Sequence, residues 1–300
     1  MSDTTSHDLV VIGAGAAGLS AALEGLRAGL ATAWLEAQMF GGLVLNVNVL
    51  DGEVQGSGAE LSSTWMSDAV ELGGENLEGV ASGIERDGDA LVVVSDAGRH
   101  RARAVVVASG AALKKLGVPG EAELEHKGVS HCADCDGPMF QGQDVVVVGG
   151  GDSALQSATV LSRFCSRVHL VHRGSAFRAK PQWVDAVLSA ANIQVHWNSV
   201  VEELLGTAGV EGVRVNGETL PCSGFFAFVG LQPATAFLPA EIARDERGAV
   251  LAVNGMETSM PGVFAAGVVR AGCGGSLADA MADGQAAAQA AIAHLALAKA

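Results

Sequence analysis

The sequence predicts an α/β protein made of two Rossmann-like, three-layer nucleotide-binding domains. Three observations carry that class. A strand, a glycine-rich turn, a helix and a second strand follow one another twice, with the same spacing in both copies. Short valine-rich runs bounded by glycine recur elsewhere and read as buried strands. A chain of 300 residues, 49% of them hydrophobic, is long enough for two medium domains with real cores.

The first copy is "HDLVVIGAGAAGLSAALEGLRAGLATAWLEA". Apolar residues 9–12 form a buried strand, Gly13, Gly15 and Gly18 make the turn around Ala16 and Ala17, and a helix runs to about Ala28. A second strand over 31–35 ends at Glu36. Glycines at those places let the backbone approach a pyrophosphate, and the helix N-terminus offers N–H groups and the positive end of its dipole. Glu36 is placed to accept ribose hydroxyls.

The second copy is "QDVVVVGGGDSALQSATVLSRFCSRVHLVHRGSAFRAK". Its strand covers 144–148, and its turn holds Gly149, Gly150, Gly151, Asp152, Ser153 and Ala154. The helix that follows reaches about Cys165, with Ala154, Leu155, Ala158, Leu161 and Cys165 on its buried face. The next strand, 167–171, ends at His172, which lies as far from Gly149 as Glu36 lies from Gly13. Where the first copy has an acid, the second has His172 and Arg173, with Arg178 and Lys180 close behind. A carboxylate there repels a 2′-phosphate and cations attract it, so the first site suits FAD and the second NADPH.

Between the copies, 90–94 and 104–108 read as strands, with "ERDGDA" and "DAGRHRAR" as turns. Residues 105–121 leave a strand through small residues toward a Pro-Gly stop, the expected domain exit. In the second half, 193–197, 210–215 and 224–229 are strand candidates, and 228–239 leads back toward the first domain. The last segment reads as a strand, a glycine loop and a helix capped by Ser276.

The net charge of −15 argues against a nucleic-acid binder, which shows a basic stripe. No secretory signal opens the chain, no apolar run reaches membrane-spanning length, and five cysteines make no secreted disulfide framework. The expectation is a soluble, cytoplasmic protein.

Cys132 and Cys135 in "VSHCADCDGPMF" admit three readings. Structural zinc usually takes four ligands, and one Cys-x-x-Cys with His131 offers no second paired cluster. Two inert core thiols are the second reading. The third is a redox dithiol that receives electrons through a flavin from a nicotinamide, with Asp136 as proton donor to a leaving thiolate. The flanking nucleotide sites favour this third reading. Cys165 and Cys222 read as packing, and Cys273 as a thiol in a glycine loop, within reach of a cofactor in the alternative reading.

Taken together, "SHCADCDGP", "VVVVGGGDSA" and "VHRGSAFRAK" resemble the low-molecular-weight thioredoxin reductases. The resemblance runs from residue 8 to about 290 and includes "VIGAGAAGLSAA", Gly41-Gly42, "VASGAALKKLGVPGE", "GLQPAT" and "GVFAAG". It implies an FAD- and NADPH-dependent homodimer that reduces thioredoxin or another disulfide. Residues 1–115 and 245–300 would form the FAD-binding domain, and 116–244 an inserted NAD(P)-binding domain carrying the dithiol. It also implies rotation of the insert about hinges near 112–120 and 238–247.

Carried onto this chain, the FAD contacts include Gly41, Gly42, Leu43, Ala108, Ser109, Gly110, Gly267, Val268, Ser276 and Leu277. Several of these depart from the family. Gly-Gly-Gln becomes Gly-Gly-Leu43, the segment 47–52 reads "VNVLDG", Gly-Asp becomes Gly267-Val268, and Arg-Gln-Ala becomes Gly275-Ser276-Leu277. The amides that open the last helix are still expected to face a reduced flavin's negative edge. Arg-Arg in the second copy becomes Arg173-Gly174. Two alternatives stand beside the reductase: a flavin-dependent oxidase of a small dithiol (or a reductase of another disulfide), and a flavin-bearing regulatory protein without turnover.

Overall fold

Valine-rich runs become the central strands of two sheets, each in its own unit of a computed structural model that describes residues 6–47, 50, 56–88 and 90–297. The first unit comprises Met1–Ala112 with Gln232–Ala300, and the second Leu113–Leu231. The sequence reading sets the change-over at 115/116 and 244/245. Residues 232–244 belong with the first unit because Leu238 and Ile242 are buried in its core and Ala234 N–H bonds Gly110 O at 3.0 Å.

The first unit opens with β1 (Ser6–Ile12), α1 (Ala16–Arg27), β2 (Thr32–Glu36), α2 (Gly58–Glu71) and β3 (Glu75–Glu78). It continues through β4 (Ala81–Asp87), β5 (Ala90–Ser95), β6 (Gly98–Val107) and the short linking strand β7 (Ala111–Leu113). The second unit holds β8 (Val129–Ser130), α3 (Ala133–Asp136), β9 (Asp144–Gly149), α4 (Asp152–Leu161), β10 (Arg167–His172), α5 (Pro181–Ser189) and β11 (Ile193–Trp197). After β12 (Val201–Leu205), β13 (Gly212–Val215), β14 (Glu218–Pro221) and β15 (Gly224–Phe228), the linking strand β16 (Leu231–Pro233) returns to the first unit. There β17 (Val263–Ala265) and α6 (Leu277–Leu297) close the chain.

The first sheet runs β3-β2-β1-β6-β5-β4, with β17 also paired to β6. Its parallel centre is covered on both sides, which is why β1 reads as a continuous apolar run. One face packs Leu9, Val11 and Trp34 against α1 and the alanines of α6; the other packs Val10, Ile12 and Val105 against Leu238, Val250 and Met260. Gly284 of α6 meets α1 so closely that a Cβ there would lie 2.1 Å from Ala17 O.

"DAGRHRAR", read as a turn, is mostly strand β6. Across β5, Arg99 and Arg101 reach acids on β4, in the pairs Arg99–Glu85 and Arg101–Asp87. Helix α2 was not anticipated, although its signature is present: Ser57 and Glu60 form a reciprocal capping box.

The second sheet, β11-β10-β9-β15-β8, is parallel throughout, and β12-β13-β14 form a separate antiparallel sheet beside it in sequence. Leu155, Ala158 and Leu161 of α4 pack on Val145, Val147 and Phe226. Among the described residues, no helix is long and apolar enough to cross a membrane.

Candidate functional site

The first glycine loop is built by steric demand. Gly13 has φ +103°, and a Cβ on it would lie 2.4 Å from Ala108 O at the end of β6. At Gly18 a Cβ would sit 1.8 Å from Gly13 O, so α1 can approach the loop only without a side chain there. Gly15 caps α1 with no side-chain bond and no acid in the first turn, leaving the amides of Ala16, Ala17 and Gly18 without a side-chain cap. Gly41 N–H bonds Ala14 O at 2.7 Å, which joins the Gly41–Gly42 turn to the same cradle.

Glu36 accepts the Ala14 N–H on Oε2 at 2.8 Å and the Gln38 N–H on Oε1 at 3.0 Å. It braces the loop and keeps lone pairs for further donors. Beside it lies a cavity of about 280 Å³ whose walls include Trp34, Gln38, Phe40, Met66 and Asn76. The fully buried Trp34 has an indole N–H without a partner among the described residues. Uncapped amides, a bracing acid and an adjoining cavity fit the pyrophosphate and adenosine half of a dinucleotide.

The flavin-side residues are also in this unit. Gly267, φ +75°, turns beside Ala17 of α1, where a Cβ would come within 2.8 Å of Ala17 Cβ. Its N–H bonds Asp283 Oδ2 at 3.1 Å, and Arg270 grips both oxygens of Asp283 through Nε and Nη2, each at 2.9 Å. Neither Arg270 nor Asp283 was singled out from sequence. Val268 is half-buried and offers no side-chain acceptor. Ser109 Oγ donates to Ala234 O at 2.8 Å, Gly110 takes φ +69°, and Leu43 is exposed.

Ser276 does cap α6, with Leu277 as the first helical residue, in a reciprocal pair. Ser276 N–H reaches Asp279 Oδ2 and Asp279 N–H reaches Ser276 Oγ, both at 3.1 Å. Those two amides, expected to face a flavin, are thus partnered within their own turn. Of the divergent stretch 47–52, residues 48, 49, 51 and 52 lie outside the described residues.

The second loop repeats the sterics with different chemistry. Gly149, φ +152°, has no room for a Cβ, which would meet Phe228 O and Ala154 Cβ at 2.6 Å. Gly151 caps α4 without a side-chain bond, and Ser153 is exposed on the first turn. Asp152 accepts the Lys180 N–H at 2.7 Å. His172 is buried, and its ring fills the space over Gly150, where a Cβ would be 2.2 Å from it. His172 Nε2 lies 3.0 Å from Ala176 O and so carries the proton. Arg178 N–H returns to Gly150 O at 2.8 Å, tying the basic loop to the glycine loop. Arg173 and Arg178 are exposed, and among the described residues neither guanidinium pairs with a carboxylate. Two unpaired cations beside a glycine cradle fit a phosphorylated nucleotide.

The dithiol sits on α3, a single helical turn. Cys132 and Cys135 are joined as a disulfide with Cα atoms 5.3 Å apart. Cys132 is half-buried and Cys135 exposed. Cys132 Sγ, at the N-cap, accepts the Cys135 N–H at 3.1 Å, a bond that favours negative charge on that sulfur. Asp136 Oδ2 accepts the Ser130 hydroxyl at 2.6 Å, and Ser130 Oγ accepts the Cys132 N–H at 3.2 Å.

Ser130 links the acid to the first cysteine, a role with no sequence signal beyond its place in the motif. His131 Nε2 meets Glu125 Oε1 at 2.8 Å, and Lys115 holds the other oxygen at 2.8 Å. Burial raises the Glu125 carboxyl, but these two bonds prevail and hold it below the usual range. Burial pushes Asp134 up, against the pull of Arg163.

The other thiols have different surroundings. Burial, then the Asp144 charge, pushes Cys165 up to about 11 and Cys222 up to about 12, so neither is a nucleophile near neutrality. Cys273 is half-buried before α6 and is also raised, chiefly by burial.

The pyridine nucleotide-disulphide oxidoreductase family pattern matches residues 7–294. The chain is 36% identical to a thioredoxin reductase of Treponema pallidum, over 97% of this chain and 98% of that one. It is 35% identical to a thioredoxin reductase of Bacillus subtilis, over 96% and 95%. Its structure is similar to that of Lactococcus lactis thioredoxin reductase, with a TM-score of 0.91 at 33% identity, over 97% and 99% of the two chains. The T. acidophilum thioredoxin reductase gives a TM-score of 0.90 at 30% identity, over 98% and 99%.

Proposed function

We propose, for a chain that belongs to the pyridine nucleotide-disulphide oxidoreductase family and within it to the thioredoxin reductases, that it reduces a thioredoxin-like disulfide with electrons from NADPH, using FAD and its own Cys132–Cys135 pair. The observation that carries this reading is the disulfide itself, with one sulfur exposed, in the same unit as a glycine loop edged by free guanidiniums.

Gly13–Gly18, Glu36 and Gly41–Gly42 would hold FAD in the first unit, with Ala108–Gly110, Gly267 and the start of α6 toward its flavin end. Gly149–Ala154, Arg173 and Arg178 would hold NADPH in the second, with His172 bracing them. When bound, the nicotinamide supplies a hydride and the flavin relays its electron pair to the disulfide.

The remaining steps belong to protein side chains. Reduction with two electrons and two protons opens the Cys132–Cys135 bond. The exposed Cys135 thiolate attacks a partner disulfide, forming a mixed disulfide and expelling one partner thiolate. Cys132, stabilised as thiolate by the Cys135 N–H, then attacks Cys135 Sγ, re-forms the internal bond and releases the second partner thiolate. Asp136, held by Ser130, is the group positioned to supply a proton to a departing sulfur. The reading includes a cytoplasmic homodimer, which light scattering of the purified protein tests.

Anaerobic titration tests the relay directly. NADPH is expected to bleach the flavin absorbance, and thioredoxin to restore it rapidly; no bleaching by NADPH or NADH would reject the reading. Bleaching of the flavin by a small dithiol and its recolouring by O₂, with no need of a nicotinamide, would favour the oxidase. Cys135→Ser is expected to abolish disulfide reduction while NADPH still bleaches the flavin.

A further inference from the structure

A chain of three charged side chains leads up to the dithiol. Lys115 Nζ donates to Glu125 Oε2 and His131 Nε2 to Glu125 Oε1, both at 2.8 Å, and His131 is the residue before Cys132. A carboxylate only accepts, so Nε2 carries the imidazole proton and Nδ1 keeps a lone pair. That Nδ1 is buried and has no hydrogen-bond partner among the described residues. A buried acceptor left open is costly, and a catalytic role is one reason for a protein to keep it.

The backbone is shaped to make the His131–Glu125 contact. Glu125 bridges Val129 at the start of β8, and β8 is fixed by pairing Val129 with Phe225 and Ser130 with Phe226. In between, His126 takes φ +61° and Gly128 φ +110°, a left-handed turn uncommon for a residue with a side chain. The other charges around the motif have their own partners. Asp136 accepts from Ser130, and Asp134 feels Arg163. Glu121 accepts the Leu116 and Gly117 N–H groups, and its charge also acts on Lys115.

We propose that His131 is a positioning residue for the dithiol: when the disulfide is reduced, Nδ1 takes up a proton, and the imidazolium held by Glu125 keeps Cys132 as the thiolate that resolves the mixed disulfide. This rests on reading Cys132–Cys135 as a working redox pair. Two electrons and two protons open the bond. Both electrons end on sulfur, one proton on Cys135 and the other on His131, which leaves Cys132 negative. The Cys135 proton passes through Asp136 to the first partner sulfur expelled, and the His131 proton goes to the second, so the partner leaves as a dithiol. The effect is carried by charge, because the anion that reduction creates arises on the next residue of the chain.

The pH dependence of iodoacetamide labelling at Cys132 tests the proposal, read by mass spectrometry on full-length protein reduced with dithiothreitol and desalted without air. Wild type is compared with His131→Gln, His131→Lys and Glu125→Gln. His131→Gln is expected to raise the labelling midpoint of Cys132 by about one pH unit, making labelling below the midpoint about tenfold slower. His131→Lys keeps a cation without the ring and should stay within about 0.3 unit of wild type. Glu125→Gln leaves the imidazole in place without its anion and should raise the midpoint by less than His131→Gln. An unchanged midpoint in His131→Gln, or equal rises in His131→Gln and His131→Lys, would overturn the proposal. If NADPH fails to open the wild-type disulfide while these shifts appear, the relay falls and the charge pairing stands.

Discussion

The two glycine loops are the same backbone device finished with opposite chemistry. Gly13 and Gly149 both have φ in the left-handed half of the map, and a Cβ on either would strike the carbonyl of a neighbouring strand's end, Ala108 O or Phe228 O. The residue closing the next strand folds back in both cases. Glu36 clamps the Ala14 amide with its carboxylate, and His172 covers Gly150 with its ring. What differs is the charge left over: an acid beside the first loop, two unpaired guanidiniums beside the second. A residue can thus brace the loop while its charge, or its neighbours' charge, selects the ligand.

The sharpest way to break the comparison is at the third glycine. Gly18 abuts Gly13 O, whereas the second loop has Ala154 in the matching place. Gly18→Ala is expected to cost roughly 3 kcal/mol and to leave the purified protein largely without flavin, read from urea unfolding and visible absorbance. An unchanged unfolding curve would show that the loops tolerate a methyl equally.

Arginine removal tests the charge difference. Arg173→Ala and Arg178→Ala should each raise KM for NADPH about 10- to 100-fold while leaving KM for NADH within about threefold, as loss of a charge-assisted phosphate contact requires. Equal losses with both nucleotides would make these side chains structural.

A smaller effect is expected at Glu36→Gln, which keeps the shape but loses the charge on the Ala14 bond. Flavin affinity should fall by about tenfold, near 1.4 kcal/mol, measured by apoprotein titration.

The smallest effect separates the units by pH. In the second sheet His169 Nδ1 lies 3.0 Å from His196 Nε2, and burial holds both below their ordinary pKa, with the His196 charge lowering His169 further. Around His169, Asp144 opposes this and Arg167 reinforces it. The unfolded chain therefore takes up protons first as pH falls below about 6.5, and stability declines by at most about 1.4 kcal/mol per pH unit for each such proton. Protection factors for hydrogen exchange in β10 and β11, taken relative to the intrinsic rate at each pH, should fall between about pH 6.5 and 5.5, and less so in His196→Gln. No difference between the two proteins would exclude this pair as the cause.

Much of the fold and half of the site were legible in the sequence because they rest on local backbone requirements. Glycines at 13, 18 and 149 announce turns that other residues fit poorly, valine runs announce strands covered on both sides, and Cys-x-x-Cys announces thiols near enough to bond. Partners across the chain were not legible. "DAGRHRAR" became strand by pairing with β5 and β1, Asp136 found Ser130, Arg270 found Asp283, and Phe177 met Trp197 only when parallel register aligned the strand ends. The sequence by itself determined where the backbone must turn and which groups could react. Tertiary structure decided whether Glu36 and His172 face a ligand or a loop, because a side chain's partner depends on packing between segments that no local pattern encodes.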